Sequence, residues 1–304
     1  VYTKLIQDVP DSKSYLFNLA ELYLAQGKLT DALTAFEQAE KEFGPMDEVS
    51  FKKQQIYLKQ NNLDKALQEG ESLISANPDE VRYVLAQAEM YAANNRLPDA
   101  IRVAQQALRQ EPENPQAHLI LADAYRQQGN AAESEKQVKQ AFESSELGID
   151  QKVRILVDYL KQLPNPAVQQ TALELADITT KVHPREAKAY SVAGDVQLLA
   201  EKKPLARDNY LRALRLDNSH YKIWQQVVLI DAELAQADSL LKHTNQALEL
   251  FPNQAVFWYY NGAGHSLAKQ PTKAVRAFEQ GKKLATDNPE LAAQFDTQLG
   301  DAYH

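Results

Sequence analysis

KSYLFNLAELYLAQGKLTDALTAFEQAEKEFG, Lys13 to Gly44, reads as one helix–turn–helix. Leu16, Leu19, Ala20 and Tyr23 fall at i, i+3, i+4 and i+7, the stripe of an amphipathic helix. Gly27 breaks that run, and Ala32, Ala35, Phe36 and Ala39 start a second stripe. Gly44 and Pro45 close the unit. Two short helices striped in this way need each other and a neighbouring unit to bury their apolar faces.

The neighbours are written into the chain at a fixed period. Tyr23, Tyr57, Tyr91, Tyr125 and Tyr159 stand 34 residues apart, and a constant spacing of this size marks an array of stacked supersecondary units. Measured from this ladder, eight units follow in series near 13–46, 47–80, 81–114, 115–148, 149–186, 187–220, 221–254 and 255–292. The ladder position holds Gln197, Asp231 and His265 in the last three. The fifth unit carries extra residues at Pro164-Asn165-Pro166, between its helices, and the eighth around Thr286-Asp287-Asn288-Pro289. Partial pieces remain at 1–12 and 293–304. Pro10 closes a unit whose first helix is missing, and Leu299 to Tyr303 restart the motif. The chain therefore reads as a segment of a longer array, with any targeting segment expected upstream.

Composition narrows the function classes. With 304 residues, the length would allow two globular domains, but a repeat array grows by adding units to one solenoid. A chain that is 44% hydrophobic with ten glycines and thirteen prolines is folded and short of flexible linkers. No cysteine is present, so disulfides, thiolate nucleophiles and thiolate metal sites are excluded. A net charge of −8 without a basic run argues against nucleic acid and anionic membranes as partners. No apolar run is long enough to span a bilayer.

The unit resembles the tetratricopeptide repeat, a 34-residue helix–turn–helix with a large residue, a Leu-Gly/Ala pair and Tyr on its first helix. An Ala, a Phe-like residue and a second Ala follow on its second helix, then Pro. The first unit matches at Leu16, Leu19-Ala20, Tyr23, Ala32, Phe36 and Ala39. The third matches at Ala88, Tyr91, Ala100, Ala107 and Pro112, and the sixth at Tyr190, Ala193-Gly194, Ala206, Tyr210 and Ala213. The resemblance covers the whole chain. It implies an all-α, right-handed superhelical solenoid and a non-catalytic role in protein–protein interaction. Long bacterial proteins of this family are often envelope-associated, so the bacterial envelope or periplasmic side is the expected compartment.

In that family, partners bind in a concave groove lined by the first helices. At about 100° per residue, the positions six before, two before and one after the ladder residue lie well away from the core stripe. The resemblance places these on the groove. The six-before row is Phe17, Phe51, Leu85, Leu119 and Val153. The two-before row is Glu21, Gln55, Glu89, Asp123 and Val157. The expected groove thus has an apolar strip beside a largely acidic one, suited to a peptide with apolar and basic side chains. The alternative is that the apolar row packs half-buried against the neighbouring first helix. In Phe257-Trp258-Tyr259-Tyr260, Trp258 takes the large core position, while Tyr259 and Tyr260 are expected to face the groove.

No catalytic constellation is visible. The six histidines show no metal spacing, and His265 reads as a satisfied, half-buried residue at the ladder position. Gly262-Ala263-Gly264-His265 lacks the strand and third glycine of a phosphate loop. No cofactor and no metal are expected. A clamp for the C-terminal carboxylate of chaperones, known in the family, would begin with Lys where Phe17, Phe51 and Leu85 stand. Two other readings stay open: a targeting arm for an enzyme domain elsewhere, and a self-assembling scaffold stacking through Leu5, Ile6, Leu299 and Tyr303.

Overall fold

A computed structural model describes residues 15–303, and among them every regular element is a helix. The chain falls into two compact units, Val1–Glu146 and Leu147–His304. The first contains α1 (Tyr15–Ala25), α2 (Leu29–Phe43), α3 (Asp47–Lys59), α4 (Leu63–Ala76), α5 (Val81–Ala93), α6 (Leu97–Gln110), α7 (Pro115–Gln127) and α8 (Ala131–Glu143). The second contains α9 (Ile149–Leu160), α10 (Pro166–Val182), α11 (Ala187–Leu199), α12 (Lys203–Leu216), α13 (Tyr221–Glu233), α14 (Ala237–Leu250), α15 (Ala255–Leu267), α16 (Pro271–Leu284) and α17 (Pro289–Tyr303). Each helix packs on the next in sequence within its unit, and several first helices also pack on the first helix of the following repeat, as α5 does on α7 and α15 on α17. Each unit is an all-α helical-repeat solenoid. The expectations for Leu5, Ile6 and Pro10 lie outside the described residues.

The tight turn inside each repeat explains what the ladder measures. In the first repeat the N–H of Lys28 donates to the carbonyl of Tyr23, and the N–H of Gly27 to that of Leu24. Gly27 sits between them at φ 71°. This is a Schellman closure, in which a left-handed residue lets two following N–H groups satisfy helix carbonyls. The same pair of bonds recurs at Tyr57, Tyr91, Tyr125, Gln197, Asp231 and His265. The ladder residue supplies its backbone carbonyl to the turn, so its side chain can vary. The left-handed residue four positions on is Gly27, Asn61, Asn95, Gly129, Glu201, Ala235 or Lys269.

The fifth repeat absorbs its extra residues in a helix. In the fifth, α10 is 17 residues long, where α4 has 14. Its turn ends at Asn165, whose side chain accepts from the N–H groups of Ala167 and Val168, and Pro166 takes the first helical position. The eighth, against expectation, carries no extra residues: α16 has the 14 residues of α14, and residues 285–288 lead into α17 as 251–254 lead into α15. Asn288 caps α17 by accepting from Leu291, and Pro289 begins the helix.

Within a repeat, the residue three before the ladder faces one position on the second helix, and bulk is traded between them. Gly194 faces the Tyr210 ring, and Gly262 faces the Phe278 ring. Gly70 reverses the order, lying against Gln54 from the first helix and against Gln87 of α5. The register-equivalent pairs Ala20/Phe36, Ala88/Ala104 and Leu156/Ala176 are all buried. Close packing of helices sets an upper bound on the two volumes together, since one surplus methyl group must displace something, and Ala88/Ala104 stays well under it.

Charge also enters the interior at register positions that read as apolar elsewhere. Lys53 of α3 is buried and bridges Glu40 of α2 and Glu69 of α4 at 2.7 and 2.8 Å. Burial works to lower the Lys53 pKa, but the two carboxylates outweigh it and the net shift is upward. Lys152 of α9, at the large core position, is 0% exposed, and burial brings its pKa down to about 8.

Candidate partner-binding surface

In the first unit the six-before row lies at the surface with one face packed. Phe17, Leu85 and Leu119 are half-buried, and Phe51 is 36% exposed. The Phe17 ring lies 5.7 Å from that of Phe43, and the Phe51 ring 6.3 Å from that of Tyr83. Both aromatic residues therefore combine support from a neighbouring ring with a free face. In the two-before row, Glu21, Gln55 and Glu89 are exposed and Asp123 is half-buried. Their charges are partly engaged. Lys52 lies 3.0 Å from Glu21, Gln116 donates to Glu89 at 2.7 Å, and Arg126 and Gln127 donate to Asp123. Glu89, Leu119 and Asp123 come together with Ala92 and Gln116 around a cleft of about 310 Å³.

In the second unit Val153 and Val157 share a more apolar cleft of about 490 Å³ with Ser191 and Asp195 of α11 and Tyr221 of α13. Lys188, on the same lining, pairs with Asp150 at 2.6 Å. That bond holds the Asp150 pKa low and the Lys188 pKa high. Burial raises the Asp195 pKa, opposed by the Tyr210 hydroxyl, which donates to it at 2.7 Å. Tyr259, six before His265, and Tyr260 lie in the eighth repeat. Both are half-buried, and the Tyr259 ring packs on Phe278, Phe295 and Tyr260. Tyr260 packs against the core around Phe257 and Trp224. The fully buried residue of this stretch is Phe257, while Trp258 is half-buried and donates from its indole to the Pro252 carbonyl at 2.9 Å.

Three of the histidines are structural partners. His118 is buried between Gln137 and the Pro112 carbonyl, His183 reaches the Leu147 carbonyl, and His265 bonds Gln270. Among the described residues no group of three or more His, Cys, Asp or Glu is placed to hold a metal ion. No described helix is long and apolar enough to cross a membrane. One cluster escaped the reading by period: Asp231 at the ladder position is 0% exposed and accepts from Arg207 of α12 at 2.9 Å and from His243 of α14 at 2.6 Å. Its members come from three helices, so no short motif signals it.

Two family models, both described as tetratricopeptide repeat, match residues 23–90 and 85–145. Residues 23–145 thus carry tetratricopeptide repeats. No curated protein matches the chain in sequence. Among solved structures it is similar to YrrB, "a TPR protein with an unusual peptide-binding site", at 16% identity, over 75% of this chain and 97% of that one, with a TM-score of 0.38. It is also similar to a chain of the APC/C hetero-tetramer Cut9–Hcn1, at 15% identity over 99% and 60% with a TM-score of 0.40. A third similar structure is a tetratricopeptide repeat protein from Parabacteroides merdae, at 11% identity over 97% and 100% with a TM-score of 0.36.

Proposed function

We propose that this scaffold binds a peptide or protein partner along the first helices of its first unit, on the rows Phe17–Leu119 and Glu21–Asp123. The observation that carries this reading is the apolar row itself. Four large side chains at a constant period each keep part of their surface in water, though a soluble fold gains by burying them. Phe17 and Phe51 are already braced by neighbouring rings, so little side-chain entropy is lost when a partner covers them. The adjacent carboxylates favour a partner whose apolar anchors are spaced by Lys or Arg.

Selection of displayed peptides on the full chain tests this. Recovered sequences should pair apolar anchors with basic residues. Phe17→Ala with Leu85→Ala should weaken the selected peptides at least tenfold while the helical circular dichroism is unchanged. Equal affinity in the folded double variant would overturn the proposal.

A further inference from the structure

We infer that a second binding site lies away from those rows, in a cavity of about 350 Å³ between α12 and α14, and that it takes a small organic anion with an apolar body. The cavity is lined by Leu211, Leu214 and Arg215 of α12, by Trp224 of α13, and by Lys242 and His243 of α14. Its volume falls in the range of small-molecule sites.

The polar part of the lining is held in place from behind. His243 is 6% exposed. Its Nδ1 lies 2.6 Å from Asp231 Oδ2, and a carboxylate only accepts, so Nδ1 carries the proton and donates. Asp231 is itself fixed by Arg207 and by its own turn. The bond at Nδ1 orients the ring and leaves its other edge, with Nε2, for the cavity.

The charge on the lining supplies the ligand class. Arg215 and Lys242 project from different helices, both are exposed, and neither has a carboxylate partner among the ion pairs of the described residues. Glu249 and Gln246 also line the cavity, and one carboxylate against two cations leaves the lining positive in an acidic protein. Arg offers a fork that matches a carboxylate or phosphate, and Lys adds a point charge. Leu211, Leu214 and the Trp224 ring provide the wall for an apolar body. Trp224 Nε1 is not available to the ligand, because it donates to the Asn218 carbonyl at 3.0 Å. The shared chemistry is an oxyanion on an apolar group, whether carboxylate or phosphate ester.

Titration of the full chain with benzoate and with phenyl phosphate, followed on the histidine ring resonances, tests the site. Both sources of the oxyanion are covered, and inorganic phosphate serves as the probe without an apolar body. The expected result is a saturable shift confined to His243, with a Kd near or below about 1 mM for at least one aromatic probe and weaker binding of phosphate. Arg215→Gln with Lys242→Gln, both exposed, should weaken that probe at least tenfold without moving the His118 and His183 resonances. Lys242→Gln alone should weaken it about threefold. Phe17→Ala with Leu85→Ala should leave it unchanged, which separates this site from the proposed partner surface. No saturable shift with either aromatic probe, or a Kd unaltered by the double substitution, would overturn the inference.

Discussion

The fifth and sixth repeats, adjacent in the second unit, fill the same register with opposite choices. In the fifth, Leu156 on α9 is bulky and Ala176 on α10 is small. In the sixth, Gly194 on α11 is bare and Tyr210 on α12 occupies the space. At the position seven before the ladder, the fifth repeat buries Lys152 and the sixth places Tyr190, whose hydroxyl donates to the Pro184 carbonyl. The turns differ as well. The sixth closes through Glu201 at φ 58°, whereas the fifth runs through Pro164 to the Asn165 cap. The period therefore fixes where helices touch, and total volume and hydrogen-bond satisfaction constrain what fills each contact. Neither constraint chooses the residue by itself.

The largest expected effect lies at Lys152. Its ordinary pKa is 10.5, and burial lowers it to about 8 in the folded chain. Between those values the unfolded chain binds more protons, so stability rises with pH across that window. Below about pH 8 the penalty for burying the charge is fully present. Lys152→Met keeps the length of the side chain and removes the charge. It should raise the unfolding free energy at pH 7 by about 3 kcal/mol, by conversion of the pKa shift. The gain should shrink towards zero as pH approaches 10.5. Urea unfolding at pH 7 and pH 10 measures both. A variant less stable at pH 7 would show that Lys152 is held by its surroundings well enough to outweigh its burial.

The next effect tests volume exchange directly. A Cβ at position 194 would lie 2.5 Å from the Tyr210 ring. Gly194→Ala should cost about 1–3 kcal/mol by overpacking, even though Ala is the better helix former. Combining it with Tyr210→Leu should cost less than the sum of the two single changes, with a coupling of about 1 kcal/mol or more. Strict additivity would mean that α11 and α12 yield independently, and the comparison of the two repeats would lose its meaning.

Much of this was legible in the sequence. The apolar period gave the helix pairs, and Gly27 and Gly129 marked turns without help from coordinates. The ladder failed as a rule about side chains because its structural role belongs to a backbone carbonyl. The trade between Gly194 and Tyr210 is invisible along a single row, since it links two rows through space. The burial of Lys53 and Lys152 leaves no mark in the sequence; the carboxylates that hold Lys53, Glu40 and Glu69, come from two other helices. Counting around one helix placed Tyr259 but could not show the ring of Phe295 on α17 that packs against it. The Arg207–Asp231–His243 cluster needed three helices to be seen at all.

The smallest effect concerns the turn of the sixth repeat, where Glu201 stands in the conformation that Gly27 and Gly129 adopt in theirs. A left-handed L-residue carries a steric cost of about 1–2 kcal/mol, from its Cβ against the following carbonyl. Glycine avoids that cost but loses more chain entropy on folding, about 0.4–1 kcal/mol. Glu201→Gly should therefore stabilise by about 0.5–1 kcal/mol, the difference between these terms. The Lys202 N–H to Gln197 carbonyl bond of 2.8 Å is between backbone groups and should persist. Leu163, four residues past Tyr159 in the fifth repeat, is not in the left-handed region, so the same logic forbids a gain there. Leu163→Gly should destabilise, because it adds freedom to the unfolded chain and relieves no strain. Opposite signs at the two equivalent positions, measured by urea unfolding, would confirm that the two repeats close their turns by different physics. Equal signs would show that the turn conformation contributes little and that helix packing alone sets the stability of both.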